Sequence, residues 1–183
     1  SALATLSSLL LLDLLRRPTR RIAAGYTLVT ALLVFTQLHA AALVAAHALV
    51  FAWAARREPS HRNLWFVAWT AAAVLASPAV VVALNSIRGL IDWIEPLSLE
   101  QFNELARAYC GSTGWPGAAV WFSLAMVGGW FLLQRSLDSQ RVLACSLVLW
   151  AGVPVIAVIA LSLLRPMLLP RYLLFTLPAV CLL

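Results

Sequence analysis

The sequence predicts an all-α fold, a polytopic transmembrane helix bundle of about seven membrane helices with the first and last truncated, and three observations carry that expectation. Composition is the first: 63% of the 183 residues are apolar and 11% are charged, with a mean hydropathy of +0.92. An average soluble domain has about 45–50% apolar and about 25% charged residues. A soluble enzyme and a disordered tail are both excluded. The second observation is long apolar runs at 2–15, 22–55, 64–87, 114–133, 142–164 and 172–183, none with the alternation of a strand. Third, the net charge of +6 comes from 13 arginines against seven acids, and the arginines fall between the runs. That placement suits membrane topology and lacks the single basic face of a nucleic-acid binder.

Taken in order, the first run ends at Arg16-Arg17-Pro18-Thr19-Arg20-Arg21. The second is too long for one span: Ile22 to Trp53 would measure roughly 48 Å at about 1.5 Å per residue, against about 30 Å of hydrocarbon. It is expected to fold back at its polar middle, Thr36, Gln37 and His39, giving helices at about 22–36 and 39–55. Both ends then lie on one side, so that the arginines at 16–21 and at 56–62 share the cytoplasmic face. A third full helix, 64–87, leads to an acidic outer segment, 88–113. There Ser98 and Gln101 match a capping box, and Leu99, Phe102 and Tyr109 recur at helical spacing, which predicts a short amphipathic helix at the outer interface over 98–110. Helices at 114–133 and 142–164 follow, and 172–183 falls short of the roughly 20 residues of a span. Residues 1–183 are read as a single transmembrane domain, a fragment of a larger one.

Orientation leaves one anomaly. The link Arg165-Pro166-Met167-Leu168-Leu169-Pro170-Arg171 is expected on the outer face, against the positive-inside bias. Two arginines on a proline-stiffened turn, followed by Tyr172, are suited to holding a lipid phosphate, because a guanidinium fork matches phosphate oxygens in bidentate fashion. Thr36, Gln37 and His39 offer a polar lining at the hairpin tip, and Arg88, Asp92 and Trp93 sit where a cavity rim would fall. His47 follows His39 by about two helical turns and is expected to hydrogen-bond a neighbour. Cys110, Cys145 and Cys181 lack ligand spacing, so no metal site is expected, and no nucleotide fingerprint is present.

The stretch Ser162-Leu-Leu-Arg-Pro-Met-Leu-Leu-Pro-Arg-Tyr-Leu-Leu-Phe-Thr-Leu-Pro178 resembles the outer-face turn and following helix of bacterial polyprenyl-phosphate-dependent glycosyltransferases, the glycosyltransferase family 39 type with a GT-C fold. The hairpin Tyr26 to Trp53 is similar to that family's paired short helices, and Ile91-Asp-Trp-Ile-Glu-Pro-Leu-Ser98 resembles its outer loop. The resemblance implies a donor sugar on undecaprenyl or dolichyl phosphate and an acceptor hydroxyl on a protein, lipid or polysaccharide. Transfer would occur at the outer face of a bacterial inner membrane. Arg165, Arg171 and Tyr172 would bind the donor phosphate, Thr36 and His39 would line the cavity, and the general-base aspartate would lie upstream of Ser1, leaving no catalytic residue in this fragment. It implies no resident cofactor; dependence on a divalent cation is left open. A secondary transporter with a broken-helix site and a non-catalytic structural membrane subunit are the alternatives.

Overall fold

A computed structural model describes residues 2–90, 98–110, 113–134, 138–164 and 173–182. They form eight helices: α1 Ala2–Arg16, α2 Arg20–Thr36, α3 Ala41–Arg57, α4 Arg62–Leu90, α5 Leu99–Cys110, α6 Gly114–Gln134, α7 Asp138–Leu164 and α8 Leu177–Leu182. No strand occurs among the described residues. Three segments there are long and apolar enough to cross a membrane: Leu38–Arg57, Pro59–Ala83 and Val142–Leu163. The chain divides into two compact units, Ser1–Asn85 and Ser86–Leu183.

Local chemistry sets the ends of the helices in the first unit. Pro18 follows α1, and Thr19 then caps α2: its backbone is extended at φ −116° and its hydroxyl accepts the Ile22 amide at 3.3 Å. At the far end of α2, Gln37 leaves helical geometry (φ −143°, ψ 93°), and a single 3-10 turn over Leu38–Ala40 starts the chain back into α3. The long apolar run is therefore two helices joined by a tight reversal. Glu58 ends α3 in a non-helical conformation, as the following Pro59 requires by crowding the backbone of the residue before it.

Tryptophan and threonine side chains then tie α4 to the others through their backbones. Trp65 Nε1 donates to the Leu14 carbonyl at 3.3 Å, Thr27 Oγ1 to Ala68 at 3.0 Å, and Trp69 Nε1 to Val44 at 2.9 Å. Trp65 near the start of α4 meets Leu14 near the end of α1, so the arginines of 16–21 and 56–62 gather at one end of the unit. The other end is closed by Val34, Val44 and Ala76, with Ala41, Trp69 and Val80 packed on them. Pro78 lies inside α4 and cannot donate to Val74; the Ser77 hydroxyl takes over that carbonyl at 2.8 Å.

In the second unit, Ser98 caps α5, its hydroxyl accepting the Gln101 amide at 3.3 Å. Gly114 opens α6 at φ +54°, a left-handed conformation that costs a residue with a Cβ about 1–2 kcal/mol. Large apolar side chains on α6, including Trp121, Phe122, Met126, Trp130 and Phe131, are exposed. The final segment differs from the single helix expected over 172–183. A 3-10 turn over Leu174–Thr176 precedes α8, and the reason is Pro178, whose missing N–H prevents a helical bond back to residue 174.

Ser98→Ala is expected to lower the local stability of α5 by about 1 kcal/mol, with Ser98→Asp retaining it. Amide exchange at Gln101 and Phe102 reads this directly; equal protection in all three proteins would remove Ser98 from the helix start.

Candidate functional site

At the hairpin tip the backbone reversal itself places the polar side chains. Thr36 is exposed, and its hydroxyl donates back to the Leu33 carbonyl at 3.0 Å. Gln37 and His39 are half-buried, flanking the reversal, while Ala40 beneath them is fully enclosed. Gln37 Oε1 is shut away from solvent and accepts no hydrogen bond from the described residues. A carbonyl oxygen in that position has full acceptor capacity for a hydroxyl or amide. The tip thus holds three polar groups at the end of the first unit opposite its arginines.

In the second unit the described chain resumes at Leu173, two residues after Arg171 in the sequence, and that point is clamped. The Tyr109 hydroxyl on α5 donates to the Leu173 carbonyl at 3.0 Å and also contacts the Thr176 hydroxyl, which donates to the same carbonyl at 2.7 Å. Trp150 Nε1 on α7 reaches the Phe175 carbonyl at 3.2 Å. Leu173 and Val158 form a small core with Leu105, Tyr109 and Val155 around them. The amphipathic helix is therefore the brace for the segment after the turn, and its tyrosine is the bolt. Burial pushes the Tyr109 phenol above its usual range, and the Thr176 hydrogen bond offsets part of that.

Arg165, Arg171 and Tyr172, with Asp92 and Trp93, lie outside the described residues. Arg88 falls on the last turns of α4, where only the backbone is described. Thr36, Gln37 and His39 are brought together at the tip. Among the described residues no three His, Cys, Asp or Glu side chains come close enough to share a metal ion.

Among the described residues, a polar cluster that no single helix reveals lies in the first unit. His47 is buried where α1, α2 and α3 meet; its Nδ1 is 3.1 Å from the Tyr26 hydroxyl and its Nε2 3.4 Å from Ser8 Oγ. Thr30 hydrogen-bonds Tyr26 and, at 2.7 Å, Ser7. Five side chains from three helices thus form one chain of hydrogen bonds. A neutral imidazole presents one donor and one acceptor, so it can join a hydroxyl on each side without an unmatched proton. Phe51 covers Tyr26 edge-on at 5.6 Å and stacks on Trp65 at 6.3 Å, sealing the network from the arginine-bearing end. The available signal was the occurrence of Ser7 and Ser8, Tyr26 and Thr30, and His47 within three mainly apolar helices.

Comparison of the chain with family models, curated proteins and solved structures gave no match in any of the three.

Two outcomes follow from this geometry. His47→Leu strands the hydroxyls of Ser8 and Tyr26 and is expected to cost about 1–3 kcal/mol; paired with Tyr26→Phe the losses fall short of additive, by about 0.6 kcal/mol for an average interhelical bond. Unfolding in detergent micelles of the two single variants and the double variant measures that coupling, and strict additivity would dissolve the network. For Tyr109, a folded-state pKa above the unfolded value means that its stabilisation is complete below about pH 10 and is lost as pH rises through the raised value. The melting temperature of the wild type is therefore expected to fall by degrees toward that of Tyr109→Phe as pH rises above about 10; a constant gap would assign the contact no share in stability.

Proposed function

We propose that this chain is part of a membrane glycosyltransferase that moves a sugar from a polyprenyl-phosphate donor to an acceptor hydroxyl at the outer face of a bacterial inner membrane. In this reading α1–α4, α6, α7 and the segment holding α8 supply about seven spans, and α5 lies along the interface. The observation that supports it is the bracing of Leu173–Thr176 by Tyr109 and Trp150, immediately after the Arg165 to Tyr172 turn. A turn that only linked two helices would need no such anchorage. A turn that must hold two guanidinium groups at a fixed spacing would, since misplacement by about 1 Å can cost a hundredfold in rate.

The chemistry is a single displacement. An aspartate upstream of Ser1 takes the proton of the acceptor hydroxyl, whose oxygen attacks the anomeric carbon. The bond from that carbon to the donor's phosphate oxygen breaks, and polyprenyl phosphate leaves with the electron pair. Arg165 and Arg171 neutralise the charge that develops on it, Tyr172 adds a hydrogen bond, and donors aimed at developing charge commonly supply several kcal/mol. Thr36, Gln37 and His39 offer hydrogen-bonding groups of the kind that hold sugar hydroxyls.

Full-length protein reconstituted in liposomes with a radiolabelled polyprenyl-phosphate sugar tests this reading. Arg165→Ala and Arg171→Ala are each expected to lower transfer by about 10²–10³ with folding retained. Undiminished transfer in both would make these residues headgroup anchors, and no use of any polyprenyl-phosphate donor by the wild type would favour a transporter or a structural subunit.

A further inference from the structure

A second amphiphilic site lies at the opposite end of the first unit, and it does not depend on the proposed activity. Between α3 and α4 a cleft of about 290 Å³ opens on the outer surface of the helices. Ala48, Ala52 and Ala55 form its floor on α3, at spacings of four and three residues that keep them on one helical face. Trp65, Phe66 and Trp69 line it from α4, together with Arg62, which is exposed. Alanines on α3, with Phe51 beside them, face large rings on α4 and leave a cleft that neither helix fills. From Arg62 to Trp69 it runs roughly 10 Å along the helix at about 1.5 Å per residue.

The lining is apolar along that length and charged only at Arg62. The guanidinium is exposed, and no carboxylate among the described residues pairs with it. Nearby Arg57 lies over the Trp53 ring, 4.5 Å from its centroid, and so is directed elsewhere. This end of the unit carries the arginine clusters of 16–21 and 56–62, opposed in those stretches and their flanks by Asp13 and Glu58 only. Its field is positive, which attracts anionic lipid headgroups, and basic pockets between membrane helices are a recurrent seat for them.

We propose that this cleft holds one anionic phospholipid, with its phosphate on Arg62 and the first half of an acyl chain along Ala55, Ala52 and Ala48. The dimensions argue for a chain of methylenes as occupant. A 10 Å length of helix about 10 Å across occupies roughly 800 Å³ and cannot enter a cleft of about 290 Å³, whereas part of an extended acyl chain can. The wall tryptophans are held rigid by their bonds to Leu14 and Val44, so the slot is formed before the lipid arrives. Arginine suits the headgroup because its planar fork meets two phosphate oxygens at once.

Native mass spectrometry of the full chain, released from nanodiscs of equal phosphatidylglycerol and phosphatidylcholine, tests the proposal. The wild type is expected to retain one phosphatidylglycerol in severalfold preference to phosphatidylcholine. Arg62→Gln should reduce that preference to near parity, while Arg21→Gln, on the same basic end but outside the cleft, should leave it within twofold. Ala52→Phe, at an exposed floor position, should reduce retention of both lipids, and Ala48→Leu serves the same purpose if the phenylalanine variant does not fold. An unchanged preference in Arg62→Gln would overturn the proposal, as would an equal loss in Arg21→Gln, which would reduce the effect to general surface charge. Full retention with the floor filled would place the lipid elsewhere.

Discussion

Backbone amides and carbonyls in hydrocarbon have no water to bind, and that constraint governs where this chain can turn. Inside a span the helix satisfies its own groups, so every break must occur at a residue that supplies a substitute or near an interface where water does. The chain keeps to this rule. Thr19 and Ser98 supply hydroxyls to the first amides of their helices, Gln37 hands its amide to Leu33 and its carbonyl to Ala40, and Ser77 occupies the carbonyl that Pro78 abandons. The reversal at Gln37 has the widest effect, because it returns α3 to the end from which α2 departed and so gathers the arginines.

Polar side chains in the interior follow the same economy. A hydroxyl or imidazole buried alone would cost more than its packing returns, so Ser7, Ser8, Tyr26, Thr30 and His47 occur together and satisfy one another. Since lipid tails are as apolar as leucine, helices in a bilayer gain little from hiding hydrocarbon from one another. Directional bonds and close small residues must set their order instead. In the first unit both are present, and α1, α2 and α3 meet where the hydrogen-bond chain crosses all three.

What was legible in the sequence was whatever depends on one segment and its neighbours along the chain. The fold-back at Gln37 follows from the length of an apolar run, the start of α5 from Ser98, and the early end of α3 from Pro59. The partners of His47 were not legible, because they come from 39 and 21 residues away and depend on how three helices rotate about their axes. Reading along its own helix joined His47 to His39; packing joined it to Ser8 and Tyr26. The 3-10 turn before α8 could have been read from Pro178, but apolar content masked that signal. Of the residues chosen for the site, the tip trio was visible as polarity inside an apolar run, whereas the brace on Leu173 rests on a tyrosine in α5 that looked like part of an amphipathic stripe.

The bonds from Trp65, Trp69 and Thr27 end on carbonyls of Leu14, Val44 and Ala68, and this makes the two sides of each bond unequal before mutation. A carbonyl belongs to every amino acid, so positions 14, 44 and 68 can exchange one compatible side chain for another and still accept the same proton. The donors have no such latitude, because neither an indole nitrogen nor a hydroxyl reaching across a helix pair has a substitute among apolar residues. Among descendants of this sequence, drift at the three acceptor positions would therefore be limited by volume alone, while the donors persisted as fixed points about which the surrounding hydrocarbon was free to be rewritten.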